Sequence, residues 1–290
     1  MTTRVALARL VSSLFAAALG ADTVSAAEHR VATLVPYAGA ALAAHPGKVL
    51  VVASVRSDPR TPVPDGVIDL GSPHSPNLEK LAEARPEVVV TDEHMHGNLA
   101  EALGRTGARV FPLDSTSLAA TFAGLEALGA EVGVGPEIQA DVTRTRAQLA
   151  ELRVTEPVPT LVLFGAPGSF FVVTDKTWIG DLLRAEGFQN VAPAGATGGR
   201  FPGFAPLTDE VLIGLSPELV LLVAHGNPEG VRAAFERDLE TRPAMQSLRK
   251  SASRGVHALD PALFSANPGL ELPRAARALR DLAQPPAATP

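Results

Sequence analysis

Short apolar runs alternate with amphipathic segments along the first third of the chain. Residues 31–35, 48–54 and 88–91 have the length and the β-branched content of strands, while residues 98–106 have the pattern of a helix that leads to a further strand at 109–113. Strands and helices that alternate in this way form βαβ units. The pattern therefore predicts a mostly parallel sheet.

A long amphipathic segment follows. Glycine and proline are absent between Pro136 and Val154, and Ile138 and Leu149 belong to an apolar stripe among arginine, glutamine and acidic residues. We expect one helix here, about 27 Å long at a rise of about 1.5 Å per residue. Two prolines within residues 155–160 end it.

After this helix the alternation of strands and helices begins again. The predicted strands are 161–164, 171–174, 219–223 and 255–259, and the predicted helices are 178–186, 209–215, 230–240 and 272–282. We therefore expect an α/β protein with two Rossmann-like lobes containing parallel sheets, at residues 30–134 and 155–284, joined by one long linking helix at 135–154. Ligands of such sheets bind beyond the carboxyl ends of the strands, so the cleft between the lobes is the expected binding site.

The composition agrees with helices packed on parallel strands, because 46% of the residues are hydrophobic and only 4% are aromatic. The formal net charge is −6 and the sequence pI is near 5.7, so the basic surface that attracts nucleic acids or anionic membranes is not expected. With 290 residues, each lobe has enough chain to bury its own core, and we expect a monomer.

The amino-terminal residues have the order of a secretory signal. Arg4 and Arg9 precede an apolar run at 10–21, and small residues lead to Ala26, so we expect a signal peptide at residues 1–26 and export to the periplasm. The run is shorter than the roughly 20 residues that span a bilayer. Because the chain has no cysteine, we expect neither disulfides nor a lipid-anchored cysteine after the signal.

Two segments resemble class III ABC solute-binding proteins, which have the TroA-like fold with a helical backbone. The first, Gly-Ser-Pro-His-Ser-Pro-Asn-Leu-Glu at 71–79, is followed by Arg-Pro-Glu-Val-Val-Val at 85–90. The second, Phe-Ala-Pro-Leu-Thr-Asp-Glu at 204–210, is followed by Leu-Ser-Pro-Glu-Leu-Val at 215–220. The order and spacing of these segments extend the resemblance over nearly all of the chain after the signal.

This resemblance implies that the protein delivers a ligand to a permease and its ATPase in the inner membrane. It also implies that Glu79 and Glu210, one on each lobe, dock onto arginines of the permease. Two rigid anionic points of this kind would fix the register of the protein on a basic rim.

Within that family the chain is similar to IsdE-like haem receptors. The similarity lies in residues 165–174, 178–183 and 224–231. In those receptors a methionine of the first lobe and a histidine of the second hold the haem iron. His225 stands at the position of the histidine and His74 at that of the methionine, which implies haem bound between two imidazoles.

Both histidines are expected to face the cleft. His74 lies in a stiff loop between Pro73 and Pro76, and His225 directly follows the predicted strand 219–223. Because neutral imidazole is the form that binds a metal, ligand binding should weaken below the usual histidine range near pH 6.5.

Other side chains at predicted strand ends are candidate ligand contacts. His94, Met95 and His96 follow the strand 88–91, and in strand-like geometry the two histidines would share one face. They support an alternative function, a receptor for a free zinc, manganese or iron ion. Tyr37, the only tyrosine, follows the first strand, and a phenolate is a further possible iron ligand.

Arg56, Arg60 and Lys176 are candidates to pair with the propionate groups of haem, since arginine matches carboxylates well. A ferric-siderophore receptor, the second alternative, would have an arginine-rich, aromatic cleft and no need for opposed histidines.

Residues 165–169 lack the Gly-Lys-Ser/Thr ending of a phosphate loop, and no Gly-x-Ser-x-Gly motif of hydrolases occurs. We therefore do not expect an enzyme.

Overall fold

The structure is a computed structural model that describes residues 29–56, 63–166, 169–193 and 202–284. The signal peptide predicted at residues 1–26 and the candidate residue Arg60 lie outside the described residues. No described helix combines the length and the apolar character needed to cross a bilayer.

The first lobe is built on a parallel sheet of five strands in the order β3-β2-β1-β6-β7. Its strands, with a small hairpin formed by β4 and β5, are β1 (His29–Thr33), β2 (Val49–Ser54), β3 (Ile68–Asp69), β4 (Gly71–Ser72), β5 (Ser75–Pro76), β6 (Val88–Asp92) and β7 (Arg109–Leu113). Strand β6 is buried along its whole length, as expected for a central strand with helices on both faces. Because all five strands run parallel, their carboxyl ends meet at one edge of the sheet.

Two helices of the first lobe begin at side chains that cap them. Asn77 accepts a hydrogen bond from the backbone N–H of Lys80, and Ser117 accepts one from that of Ala120. The helices of this lobe are α1 (Pro36–Ala43), α2 (Leu78–Ala84), α3 (Ala100–Gly104), which follows a 3-10 turn (Gly97–Leu99), and α4 (Leu118–Glu131).

The predicted linking helix is present as α5 (Gly135–Ala150), which buries Ile138 and Leu149 against α4 and the last helix of the chain. It ends four residues before Val154, whose backbone N–H donates to the carbonyl oxygen of Glu186 in the second lobe.

The second lobe contains a mixed sheet in the order β11-β9-β8-β12-β13, with β10 paired to the start of β8. Its strands are β8 (Pro159–Ala166), β9 (Ser169–Val173), β10 (Gln189–Asn190), β11 (Phe204–Pro206), β12 (Leu219–Ala224) and β13 (Val256–Ala258). Strands β8, β12 and β13 are parallel as predicted, whereas β9 is antiparallel to both β8 and β11. The link from Ala166 to Ser169 is too short for a parallel crossover, so β8 and β9 form a hairpin.

Alternate residues of β8 and β12 belong to two separate cores, so helices of the second lobe pack on both faces of this sheet. They are α6 (Trp178–Ala185), α7 (Asp209–Leu212), α8 (Pro228–Thr241), α9 (Pro243–Ser251), α10 (Pro261–Phe264) and, after a 3-10 turn (Gly269–Glu271), α11 (Leu272–Leu282).

Buried hydrogen bonds connect the two lobes. The side-chain amide of Asn267 donates to the carbonyl oxygen of Ser115 at 3.1 Å and to Oγ1 of Thr121 at 2.8 Å. From the same lobe, Oδ2 of Asp181 accepts from the backbone N–H of Leu118 at 2.8 Å. Because Asn267 and Asp181 are both buried, these bonds together with the shared apolar core favour small relative motion of the lobes.

Candidate functional site

Two histidines face each other across the lobes. Nε2 of His74 lies 3.1 Å from Nε2 of His225, and the two rings are perpendicular, with an angle of 89° between their planes. At this distance one imidazole N–H donates to the lone pair of the other. The structure therefore brings together the two residues that the sequence analysis paired.

His74 is presented by the β4–β5 hairpin. It is the second residue of a two-residue turn that is closed by the pair of Ser72 and Ser75. Oγ of Ser72 accepts from the backbone N–H of His74 at 3.2 Å. The backbone N–H of Arg56 donates to the carbonyl oxygen of Gly71 at 3.0 Å, which joins the hairpin to the end of β2.

His96 supports the same hairpin from the interior. Its ring is buried; Nδ1 accepts from the backbone N–H of Asp92 at 2.8 Å, and Nε2 donates to the carbonyl oxygen of Pro73 at 2.9 Å. Both ring nitrogens are used, so neither is left to bind a metal. The prediction that His94 and His96 share one face is wrong, because the chain turns after β6 ends at Asp92 and leaves His94 exposed.

His225 directly follows β12, and its backbone N–H donates to the carbonyl oxygen of Gly165 on the neighbouring strand at 2.9 Å. Its ring packs on Phe164 with ring centroids 5.4 Å apart, and Phe164 packs on Phe204 at 5.1 Å. The histidine is therefore held beside an aromatic wall that the sequence analysis did not identify.

Both opposed imidazoles have lowered pKa values. Burial lowers the pKa of His74, with a further contribution from His96. Burial also lowers the pKa of His225, with a further contribution from His74, while the main chain of Ser265 works in the opposite direction. The two imidazoles are accordingly neutral at physiological pH, which is the form that binds metals.

Tyr37 does not have the properties expected of an iron ligand. Its side chain is 5% exposed, and its hydroxyl forms a hydrogen bond of 3.2 Å with Oγ of Ser115. Burial raises the pKa of Tyr37 to about 12, so the phenol keeps its proton at neutral pH. The ring packs closely against Gly269 of the second lobe, which places Tyr37 in the contact between the lobes.

The candidate cations occupy different positions. Arg56, at the end of β2, lies beside the hairpin that carries His74 and forms an ion pair with Asp69 at 3.2 Å. Lys176 is exposed in the turn between β9 and α6. Met95, a candidate ligand contact and not a cation, is exposed after β6.

A group of three potential ligands lies at the ends of β6 and β7. Nε2 of His94 is 3.3 Å from Oε1 of Glu93 and 3.5 Å from Oδ1 of Asp114. Asp114 was not predicted, although it directly follows the strand predicted at 109–113, and Glu93 comes after the neighbouring strand at 88–91. Adjacent parallel strands end at the same edge, and that rule would have found it.

Glu79 and Glu210 are both exposed in the first turns of their helices, α2 and α7. Hydrogen bonds within the first turn of α7, from the backbone of Glu210 and the side chain of Thr208, hold the pKa of Glu210 below its ordinary value. The first turn of a helix favours a negative charge at both positions.

The periplasmic binding protein family matches residues 31–263 of the chain. Among characterised proteins, the chain is similar to the high-affinity heme uptake system protein IsdE of Staphylococcus aureus (strain bovine RF122 / ET3-1). The two are 22% identical over 221 residues, which is 74% of each chain.

Solved structures share the fold. The structure of S. aureus IsdE complexed with heme has a TM-score of 0.75 and 20% identity, covering 88% of this chain and 98% of its own. A periplasmic heme binding protein from Pseudomonas aeruginosa has a TM-score of 0.68 and 24% identity, with coverage of 91% and 94%. The siderophore binding protein BauB, bound to acinetobactin and ferric iron, has a TM-score of 0.63 and 16% identity, with coverage of 88% and 93%. The two-lobed class III fold predicted from the sequence is confirmed.

Proposed function

Because this chain belongs to the periplasmic binding protein family, we propose that it captures haem between its two lobes and presents it to an ABC importer. The observation that carries the proposal is the pair His74 and His225, whose Nε2 atoms face each other at 3.1 Å from opposite lobes. Haem iron takes one axial ligand on each face of the porphyrin, and histidine is a common axial ligand.

The distance between the two imidazoles is compatible with this role after a small adjustment. Bonds from imidazole to a first-row metal are about 2.0–2.1 Å long, so two imidazoles on opposite sides of one ion lie about 4 Å apart. The pair must therefore separate by roughly 1 Å, a shift small enough to need no hinge rotation of the lobes.

The surroundings of the pair suit an apolar macrocycle with acidic groups. Phe164 and Phe204 provide an aromatic wall beside His225. Arg56 lies at the base of the hairpin on the first lobe, and Lys176 is exposed on the second, so each lobe offers a cation for a propionate.

The similar proteins favour haem over the alternatives. IsdE and the P. aeruginosa protein are named for heme, whereas BauB holds iron that is already complexed by acinetobactin. A ferric siderophore brings its own iron ligands, so two opposed, neutral imidazoles have no role in binding it.

Delivery of the ligand requires a membrane partner. We assign docking on the permease to Glu79 and Glu210, which are exposed and near the starts of helices on different lobes. In this function the protein is a periplasmic carrier without catalytic turnover.

Absorption spectroscopy of the purified protein with added haemin tests the proposal. We expect a sharp, shifted Soret band that is lost or strongly weakened in His74→Ala and His225→Ala. The matched control is His29→Ala, which removes a half-exposed histidine at the start of β1, outside the pair. An unchanged haemin spectrum, with a ferric siderophore instead altering the fluorescence of the single tryptophan, Trp178, would replace haem by siderophore as the ligand.

A further inference from the structure

A second ligand-type cluster lies on the first lobe, apart from the opposed imidazoles. We propose that Glu93, His94 and Asp114 form a binding site for a divalent transition-metal ion of the Zn²⁺ class, with the remaining coordination position open to water. The three residues each place one nitrogen or oxygen ligand atom within 4.8 Å of the other two.

The register of the sheet brings these residues together. Strands β6 and β7 are parallel neighbours in which Asp92 is opposite Leu113, so the residues that follow them leave the sheet side by side. The backbone N–H of Glu93 also donates to the carbonyl oxygen of Leu113 at 3.0 Å. Backbone pairing therefore fixes the main-chain positions from which these side chains extend.

The distances match those of ligands on one tetrahedral ion. Zinc bonds to imidazole nitrogen and carboxylate oxygen are about 2.0–2.2 Å long, which places neighbouring ligand atoms about 3.4 Å apart. Nε2 of His94 lies 3.3 Å from the oxygen of Glu93 and 3.5 Å from that of Asp114. One nitrogen thus has the expected spacing to both carboxylates.

The other histidine–carboxylate pairs of the described residues differ from this arrangement. His29 and Glu87 are 3.0 Å apart, and His45 and Asp141 are 2.8 Å apart, both within ordinary hydrogen-bond distance. Each of these histidines has a single carboxylate. Among the described residues, only His94 has two carboxylates within 4 Å of one ring nitrogen, at distances that leave room for an ion shared by the three groups.

The ligands are also held in position. Oδ1 of Asp92 accepts from the backbone N–H groups of His94 and Met95 at 2.9 and 3.0 Å, which fixes the turn. Oδ1 of Asp114 accepts from the backbone N–H and the hydroxyl of Thr116 at 2.8 and 2.6 Å, so this carboxylate would bind the ion through Oδ2. Such supporting bonds orient carboxylate ligands in metal sites.

The charge and exposure suit a dication from solution. Partial burial of Asp114 acts against ionisation, but the hydrogen bonds from Thr116 and the proximity of His94 hold its pKa below the ordinary value. Two carboxylates and one imidazole supply the mixed oxygen and nitrogen ligands that Zn²⁺ accepts. About half of the side-chain surface of His94 and Glu93 is exposed, which leaves an entry path.

Isothermal titration with Zn²⁺ tests the proposal on the full chain after treatment with a chelator. The titration uses a His74→Ala/His225→Ala background, so that the opposed imidazoles cannot bind the ion and the result is independent of haem binding. We expect one site per chain, and a Co²⁺ spectrum with the intense visible bands of tetrahedral coordination. Thr116→Val should weaken zinc binding by about 10–100-fold, and His94→Ala should weaken it further.

His29→Ala in the same background is the matched control and should leave zinc binding unchanged, since its histidine faces one carboxylate. Unchanged thermal unfolding of the His94→Ala variant would show that its loss of binding is not a loss of fold. No zinc binding in the double-alanine background would overturn the proposal. Binding that survives His94→Ala as well as it survives His29→Ala would overturn it too.

Discussion

His96 donates its Nε2 proton to the carbonyl oxygen of Pro73, 2.9 Å away, and so holds the hairpin turn that presents His74. The same ring accepts the backbone N–H of Asp92 through Nδ1. One buried imidazole therefore joins the end of β6 to the loop that carries a proposed iron ligand, as a support for that ligand and not as a ligand itself.

Replacing His96 should weaken haem binding even though His74 itself is unchanged. His96→Phe keeps a ring in the cavity but leaves the N–H of Asp92 and the carbonyl of Pro73 without partners. We expect a loss of roughly 1–3 kcal/mol in the free energy of unfolding, measured by denaturant titration, and a weaker Soret shift with haemin. His29→Ala, at the start of β1 and outside both proposed sites, is the control and should leave the Soret shift unchanged. Full haem affinity in His96→Phe would contradict the positioning role.

Haem binding should be insensitive to pH across the neutral range. Burial lowers the pKa values of both His74 and His225 below the ordinary 6.5, so both imidazoles are mostly neutral at pH 6.5. Protons compete with iron only below that value. Haemin titrations from pH 8 downwards should give a constant affinity to about pH 6.5 and a falling affinity in more acidic solution. A decline that begins between pH 8 and pH 7 would contradict the lowered pKa values.

His74→Met should retain haem, in contrast to His74→Ala. A thioether can replace one axial imidazole, and the His/Met pair raises the reduction potential of the iron compared with two imidazoles. We expect a Soret band in His74→Met and a more positive midpoint potential in a redox titration. If the alanine and methionine variants bound haem equally, then His74 would not ligate the iron.

Much of this architecture follows from local sequence pattern. Strand β6 and helix α5 were predicted correctly because a run of β-branched residues and an apolar stripe of helical period are properties of the segments themselves. The predicted pair of His74 and His225 came from resemblance and from strand ends, and the structure places these residues together.

Features that depend on tertiary packing were not predicted. Helix α4 is apolar on most of its faces, so its period gives little signal, and it was missed. The carboxylate of Asp92 organises the turn after β6, and this turn decides where the side chain of His96 points. The sequence spacing of His94 and His96 does not reveal that direction. The antiparallel β9 was likewise assigned to a βαβ unit, because strand direction is decided by pairing partners.

Gly269 should be required for the close contact between the lobes. Its φ is +58°, and a β-carbon there would lie 2.7 Å from Cβ of Tyr37 in the other lobe. Gly269→Ala should lower the free energy of unfolding by roughly 1–3 kcal/mol. Gly107 also has a positive φ, of +74°, but has nothing within 4 Å, so Gly107→Ala measures the backbone strain alone. Denaturant titrations that gave equal losses for both variants would rule out the steric contribution.

Glu186 should make the protein less stable as the pH rises from acidic to neutral. The side chain is 2% exposed, and its Oε2 has no hydrogen-bond partner among the described residues. Burial raises its pKa to about 7 from 4.5, although Arg153 and Arg280 act in the opposite direction. Between these two values the folded state retains a proton that the unfolded chain has released, so stability falls as the pH increases through that window.

Glu186→Gln stays neutral at every pH and should therefore remove this dependence. The variant should match the parent below about pH 4.5 and exceed it above about pH 7, by at most roughly 3–4 kcal/mol, since each tenfold change in proton affinity is worth about 1.4 kcal/mol. Urea titrations at several pH values measure the difference, with the exposed Glu83→Gln as control. Parallel stability curves for Glu186→Gln and the parent would mean that the buried carboxyl is ionised in the folded protein, with the two arginines outweighing its desolvation.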